Sequence, residues 1–332
     1  MQASQIGVTL FSLTNEFYSR QYTVEQLLAK VAELGMGPGV EVVGFQSFRG
    51  FPHVSAADAA RFRDAMARHQ LTPTCLAINS DAFIRRDRPM SVDEAVAYHE
   101  PQIRAAAQLG FPVVRTQFTA QPAVLEGLLP LLEQLNVKAG PEVHSPMTVN
   151  SPLMLEYLEL FARLRSPCFG FIPDFGSCAV RPPPGFVDYF RRQGSPPTLL
   201  DLLQRIWLQS GDTNAKREEF VRRAAEAGFT PPQFGPLTVL FSIVCPQDPR
   251  AWLAIMPQII HVHGKFYEFD AAGNETSIPY DQLLPVFIEG GYRGYISSEY
   301  EGTMFSPASG LEMVQRHQAL CRRIIATASA AA

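Results

Sequence analysis

Residues 137–174 read VKAGPEVHSPMTVNSPLMLEYLELFARLRSPCFGFIPD and contain two strand-like runs on either side of a helical segment. The first run, Val137–Val143, is followed by a histidine, and the second, Cys168–Asp174, ends on an aspartate. Between them, Ser151 is an N-cap residue and Pro152 occupies the first helical position, where its missing N–H has no cost. The stretch is therefore a strand–helix–strand unit whose strands end in polar side chains.

The same alternation of strand and helix runs along nearly the whole chain. Eight apolar or β-branched runs predict strands at Ile6–Phe11, Val40–Phe45, Thr72–Asn79, Pro112–Phe118, Val137–Val143, Cys168–Asp174, Ile259–Gly264 and Gly294–Glu299. Helix starts are marked by two capping boxes, Thr23 with Gln26 and Ser91 with Glu94. Pro101 should kink or split the third helical stretch.

Eight strands separated by helices favour a closed (β/α)8 TIM barrel, in which every strand is paired on both edges. A doubly wound open sheet would need a glycine-rich phosphate turn after the first strand, and residues 7–12 contain none. The length of 332 residues fits one barrel domain, residues 1–332, that carries an insertion.

The sixth unit is unusually long. Asp174 and Ile259 lie 85 positions apart, where a barrel unit needs roughly 30. The excess, residues 176–250, contains three consecutive prolines from Pro182 and an aromatic cluster at positions 186–190. We interpret it as a lid or a subunit-docking region, and the alternative is an elaborated sixth helix without a functional role.

Composition excludes several classes of protein. Charged residues make up 18% and hydrophobic residues 46% of the chain, which argues against disorder. The formal net charge of −4 gives no basic field for a nucleic-acid backbone, and no apolar run approaches the ~20 residues of a membrane span. The start lacks a signal-peptide pattern, and the five cysteines predict buried free thiols. We expect a cytoplasmic protein.

Four of the last strands end in side chains that commonly bind metals: Glu142, Asp174, His263 and Glu299. Each alone is more often a solvated loop neighbour or a helix cap. Their occurrence at successive strand ends is harder to explain by chance, because active sites of these barrels lie at that face. Three carboxylates and one imidazole suit Mn²⁺ or Mg²⁺, with Co²⁺ or Zn²⁺ as alternatives.

Three further polar residues lie in or next to predicted strands. Glu41 could bind substrate or hold the barrel together, His261 is interpreted as structural, and Glu301 as a rim residue. The remaining histidines fall in helical or loop contexts and are interpreted as ordinary surface or core residues: His53, His69, His99 and His317.

The chain resembles the xylose-isomerase-like barrels, the sugar phosphate isomerase/epimerase group that includes ketose 3-epimerases, inosose dehydratases and endonuclease IV. The resemblance rests on Ala32–Gly35 leading to Gly39–Glu41, on Leu109–Arg115, and on the four strand ends. It implies that Glu142, Asp174, His263 and Glu299 bind one divalent metal.

Two departures from this family pattern affect the expected site. Ser177 stands where family members often have a histidine, which weakens transfer of the epimerase substrate site. Phe266 follows Lys265 where they often have an aspartate.

Such a metal predicts proton abstraction next to a sugar carbonyl, because the cation stabilises the negative charge that develops on the sugar oxygens. His144 is the preferred base, with Glu142 or Glu299 as alternatives, and it could instead hold Glu142 in place. Lys265 could bind a developing oxyanion or be a salt-bridged rim lysine, and Gln117 could contact sugar hydroxyls.

Within this group, the long insertion, Ser177 and the Glu142–His144 pair resemble the α subunits of bacterial C-glycoside deglycosidases. That resemblance implies a lyase acting on 3-oxo-glucosides of flavonoids and related phenolics, with manganese and a small β subunit in a hetero-oligomer. The insertion would then supply an apolar wall for a planar aglycone. The alternatives are a ketose or inosose isomerase, epimerase or dehydratase with the same metal, and a barrel scaffold that only binds a partner. A nuclease is disfavoured by the acidic charge.

Overall fold

The computed structural model describes residues 5–81 and 84–331. Within them the chain forms eight parallel strands: β1 (Gln5–Thr9), β2 (Gly39–Val43), β3 (Thr72–Ala77), β4 (Val113–Thr116), β5 (Lys138–Val143), β6 (Ile172–Pro173), β7 (Val262–Phe266) and β8 (Tyr295–Tyr300). Each lies within or overlaps one of the eight predicted runs. The order across the sheet is β6-β5-β4-β3-β2-β1-β8-β7.

The sheet curves into a nearly closed barrel. β1 pairs with both β2 and β8, so the first and last strands of the chain are neighbours. β6 is only two residues long, and isolated parallel bridges, Phe171 to Ile259 and Asp174 to His263, connect its surroundings to those of β7. The predicted (β/α)8 TIM barrel is therefore confirmed.

Helices surround the strands. They are α1 (Thr14–Tyr18), α2 (Val24–Glu33), α3 (Gly44–Ser47), α4 (Ala56–Arg68), α5 (Val92–Leu109), α6 (Pro122–Leu135), α7 (Pro152–Leu164), α8 (Pro184–Arg192), α9 (Pro197–Trp207), α10 (Thr213–Glu226), α11 (Pro231–Phe234), α12 (Leu240–Ile243), α13 (Tyr280–Glu289) and α14 (Gly310–Ala331). Both predicted capping boxes are present, at Thr23 and Ser91. Pro101 lies inside α5, which continues past it, so the helix is not split, and the alternative of a kink stays a prediction.

Two strands end earlier than the predicted runs because a helical turn follows each of them directly. Leu10–Leu13 form a 3-10 turn and Phe45 lies in α3, because the chain turns as soon as it leaves the barrel wall. β2 is buried along its whole length, as expected for a parallel strand covered on both faces. Periodicity alone does not mark where an apolar run leaves the sheet.

Five α-helices, α8 to α12, and three 3-10 helices lie between β6 and β7. The aromatic cluster in this segment packs inward: Phe186 is buried, and its ring centroid lies 4.9 Å from that of Phe190 and 6.1 Å from that of Phe305. Further along, the buried Lys216 donates from Nζ to the Trp207 carbonyl at 3.0 Å. The aromatic cluster therefore stabilises the segment itself and does not provide an exposed apolar wall.

All five cysteines are free and buried, as predicted. Among the described helices, none is both long enough and apolar enough to cross a lipid bilayer.

Candidate metal centre at the barrel mouth

Three of the four predicted metal ligands meet inside the barrel near the carboxyl ends of the strands. Glu142 of β5, His263 of β7 and Glu299 of β8 are buried, and one donor atom from each lies within 4.8 Å of the others. His263 Nδ1 is 2.6 Å from Glu142 Oε1 and 3.5 Å from Glu299 Oε2. Glu142 thus meets two residues more than a hundred positions further along the chain, because parallel strands end at the same face.

Asp174, the fourth predicted ligand, lies beside this group but is engaged elsewhere. It forms a parallel bridge with His263, and its Oδ1 accepts a hydrogen bond from the Gly176 amide at 2.7 Å. Its Oδ2 is 2.5 Å from Lys265 Nζ and 3.4 Å from His144 Nε2. Asp174 is therefore an ion-pair partner of Lys265 next to the three clustered ligands.

Burial and charge set the protonation of the three clustered residues. Burial raises the pKa of Glu299 to about 8. Burial would also raise the pKa of Glu142, but the Arg115 and His263 charges hold it well below its usual range. Burial would lower the pKa of His263, yet the carboxylates of Glu299, Glu41 and Glu142 raise it well above its ordinary value. These groups form one electrostatic unit.

The donor set fits a divalent cation. Glu299 Oε2 is buried without a hydrogen-bond partner, which is costly unless another group satisfies it. Within this cluster, four buried carboxylates face only two permanently cationic side chains, Arg115 and Lys265; the carboxylates belong to Glu41, Glu142, Asp174 and Glu299. Carboxylate oxygens with one imidazole are the ligands that hard or borderline divalent cations prefer. The residues could therefore hold one such ion.

Lys265 and His144 form a hydrogen-bonded pair at the edge of this group. The Ser145 carbonyl can only accept, so His144 donates to it from Nδ1 at 2.7 Å. The lone pair of His144 Nε2 then accepts from Lys265 Nζ at 2.8 Å. Lys265 is fully buried and also lies 3.2 Å from Glu301 Oε2, so it is an interior lysine and its interpretation as a rim residue is wrong.

Arg115 is a site residue to which sequence reasoning assigned no role. It lies on β4, and its Nε is 3.5 Å from Glu142 Oε2. The available signal was the same one that selected the ligands, a charged side chain near a strand end. Gln117, predicted to contact sugar hydroxyls, is exposed, and its Oε1 accepts from the Ser80 amide at 3.1 Å, which ties the ends of β3 and β4 together.

Glu41 and His261 meet in the barrel interior. The Glu41 carboxylate lies 2.8 Å from His261 Nε2, and both residues are buried. Of the two roles left open for Glu41, these contacts favour holding the barrel interior together.

Comparison with known proteins identifies full-length relatives. The chain is 38% identical over 333 residues to a 3'-dehydrocarminate deglycosidase alpha subunit from a Microbacterium species, covering 96% of this chain and 95% of the relative. It is also 38% identical over 325 residues to a C-glycoside deglycosidase alpha subunit from Arthrobacter globiformis, covering 97% and 92%.

Among solved structures, a D-psicose 3-epimerase with D-tagatose from Clostridium cellulolyticum H10 superposes with a TM-score of 0.58 at 10% identity. The match covers 98% of this chain and 99% of the epimerase, and it supports the barrel fold. No family model matches the chain.

Proposed function

The chain belongs to the family of C-glycoside deglycosidase alpha subunits, and from that premise we propose that it is the catalytic subunit of an enzyme that cleaves 3-oxo-C-glucosides. Its family makes it an enzyme of carbohydrate processing. The observation that carries the finer proposal is the buried cluster of Glu142, His263 and Glu299, in which one carboxylate oxygen has no partner.

Glu142, His263 and Glu299 would hold one divalent cation, with Asp174 as a fourth ligand. Manganese is the first choice, because oxygen-rich sites with one imidazole suit it, and Mg²⁺, Co²⁺ and Zn²⁺ are the alternatives. A bound cation supplies Lewis-acid stabilisation of negative charge on substrate oxygens. The Asp174 carboxylate would then contact both the cation and Lys265. Lys265 would also keep its second ion pair, with Glu301.

His144 would act as the general base. Its ring is partly exposed, and its Nδ1 proton is fixed on the Ser145 carbonyl, so Nε2 is the nitrogen that can accept a proton. Asp174 Oδ2, at 3.4 Å from Nε2, would stabilise the resulting imidazolium. Before this step Lys265 would release its hydrogen bond to His144 Nε2 and keep its contacts with Asp174 and Glu301.

The proposed reaction is an elimination. Nε2 of His144 takes the proton from sugar carbon C2, which is acidic because it is next to the 3-oxo group. The C–H electron pair forms a double bond between C1 and C2, and the bond from C1 to the aglycone carbon breaks. The electron pair leaves with the aglycone, whose carbon then takes up one proton, so the products are the aglycone and an unsaturated 3-oxo sugar.

Exposed apolar side chains after three strands support an aromatic aglycone. Phe45 follows β2, Phe118 follows β4 and Met304 follows β8, and their exposed fractions are 59%, 43% and 49%. All three lie within four residues of a strand's carboxyl end, the face of the candidate metal centre. Large apolar groups left in solvent at a binding face commonly contact a ligand or a partner.

We assign a partner-binding role to residues 176–250, because the relatives are named alpha subunits and so work with a second subunit. This segment exposes large apolar side chains in the turns between its helices, Val180 before α8 at 55% and Leu208 directly after α9 at 60%. Such residues suit the centre of a subunit interface. A small β subunit bound there would make a hetero-oligomer.

The decisive experiment supplies the chain, manganese and the small partner subunit with a 3-oxo-C-glucoside and measures aglycone release by chromatography. Glu142→Gln and His263→Ala should abolish release while circular dichroism shows an intact fold, because each removes a ligand. Glu289→Gln, the same chemical change at an exposed carboxylate paired with Arg250, is the matched control and should keep full activity.

Two results would contradict the proposal. Full aglycone release by either ligand variant would refute the metal assignment. Turnover of free ketoses or inososes without any release from the glycoside would replace this reaction by an isomerase, epimerase or dehydratase activity on the same site.

A further inference from the structure

Two histidine rings bind the same oxygen of Glu41 inside the barrel. His261 Nε2 lies 2.8 Å and His263 Nε2 3.0 Å from Glu41 Oε2. All three residues are at most 2% exposed. Glu41 belongs to β2, which is separated from β7 by β1 and β8, so its side chain reaches across the interior. A buried carboxylate in such a position must have a structural or functional reason, because its desolvation is costly.

This contact fixes which nitrogen of His263 is available to a cation. A carboxylate only accepts, so His263 donates to Glu41 from Nε2. By the same argument Nδ1 donates to Glu142 Oε1 at 2.6 Å, with Glu299 Oε2 at 3.5 Å, and a cation bound between these two carboxylates would replace that proton. Histidines that bind metals commonly donate their other N–H to a carboxylate, which sets the ring orientation and raises the basicity of the ligand.

His261 and Ser297 hold Glu41 in turn. Ser297 Oγ lies 3.1 Å from His261 Nε2, and Ser297 pairs with His263 in the β7–β8 register. The planes of the two imidazole rings are nearly perpendicular, with centroids 5.9 Å apart. Because both rings share one oxygen, the carboxylate cannot rotate without losing two hydrogen bonds at once.

We propose that Glu41 is a positioning residue that orients His263 Nδ1 towards the cation, with His261 holding Glu41 in place. The inference rests on the proposed metal centre and adds the carboxylate that orients one of its ligands. Glu41, His261 and His263 also have donor atoms within 4.8 Å of one another, as a second metal site would. The positioning role is favoured because two histidine nitrogens already bind the same Glu41 oxygen, whereas Glu299 Oε2 in the other cluster is buried without a hydrogen-bond partner and is therefore the oxygen that still needs one.

Metal affinity of the chelator-stripped chain tests this proposal without any substrate. Manganese binding is measured by calorimetry for wild type, Glu41→Gln and Glu41→Asp, and thermal unfolding of each metal-free protein monitors the fold. Glu41→Gln should weaken binding about 10- to 100-fold, the usual loss when a partner of a ligand is removed. Glu41→Asp keeps the charge with a shorter reach, so it should restore part of the affinity.

A spectroscopic readout and a control separate positioning from general destabilisation. The visible spectrum of the cobalt-loaded protein should change in Glu41→Gln, because the orientation of one ligand changes. Glu16→Gln alters another buried carboxylate, which binds the start of α14, and should lower stability while leaving manganese affinity and the cobalt spectrum unchanged. If Glu41→Gln does not fold, the same two measurements on Glu41→Asp decide the question.

The possible outcomes distinguish this inference from the metal proposal. If wild type binds no manganese, or Glu142→Gln binds it equally well, the metal centre itself is refuted and the inference with it. If Glu142→Gln loses the metal but Glu41→Gln, or Glu41→Asp in its place, binds within twofold of wild type with the same cobalt spectrum, Glu41 has no positioning role. Two manganese ions per wild-type chain would show a second metal site instead.

Discussion

Replacing His317 by phenylalanine should remove a source of acid sensitivity from the fold. His317 is a residue of α14, and its ring is fully buried, stacked on Phe266 with centroids 4.2 Å apart and packed edge-on against Tyr280 at 4.7 Å. Its Nδ1 lies 2.9 Å from Ser298 Oγ. Burial lowers the pKa of His317 to about 3, because a charged ring would have no water around it.

The magnitude follows from the difference between folded and unfolded pKa values. With an unfolded pKa of about 6.5, the unfolded chain binds more protons than the folded one between pH 3 and 6.5, so stability rises with pH across that range. Protonation of His317 therefore does not lower the free energy of unfolding above pH 6.5. Below it, the free energy of unfolding falls by about 1.4 kcal/mol per pH unit, or about 2.7 kcal/mol at pH 4.5.

Urea unfolding of metal-free wild type and His317→Phe at pH 7.5 and 4.5 measures this effect. Phenylalanine keeps the stacked ring but loses the Ser298 contact, so the variant should be less stable by about 1 kcal/mol at pH 7.5. At pH 4.5 the order should reverse, because only wild type must protonate a buried ring. Taking the difference between the two proteins cancels the titration of other groups. A difference that stays constant within about 0.5 kcal/mol between the two pH values would refute the reasoning.

Two further substitutions test the buried charges. Lys265→Met leaves Asp174 and Glu301 without their ammonium partner, so the metal-free protein should lose about 3–5 kcal/mol of unfolding free energy in urea at pH 7.5; a loss below about 1 kcal/mol would contradict a buried ion pair. Glu16→Ala removes the carboxylate that accepts from the Gly310 amide at 2.7 Å at the start of α14, and should cost about 1–2 kcal/mol. An unchanged urea midpoint for Glu16→Ala would show that the helix start needs no such partner.

The fold was largely predictable because its signals are local. The capping box at Thr23 depends on residues three positions apart, and apolar runs such as Val137–Val143 depend on neighbours in the chain. Where the prediction went wrong, the cause was tertiary. α5 continues through Pro101, and residues on both sides of it, His99 and Ile103, are buried. β6 is short because the pairing with β5 is interrupted: Phe169 bridges to Ala139, and the ladder resumes only at Ile172 and Pro173.

The candidate ligands could also be predicted from the sequence, since Glu142, His263 and Glu299 are polar residues at the ends of predicted strands and the family resemblance selects the same positions. The ion-pair and hydrogen-bond partners of these residues could not be predicted from the sequence. Lys265 was expected to bind a developing oxyanion or to be a salt-bridged rim lysine, yet it is buried between Asp174 and Glu301, since β7 turns it into the barrel.

By itself, the sequence determined the alternation of strands and helices, the identity of the strand-end acids and histidines, and the family of the chain. Only the tertiary structure decided which of these groups touch. The contact between Glu41 and His263 joins residues 222 positions apart, and it exists because closing the barrel places β2 and β7 across one narrow interior. Local sequence determines which face of a strand a side chain lies on. The stagger of neighbouring strands in the closed barrel determines how far along the barrel axis that side chain lies, and therefore which side chains of other strands it contacts.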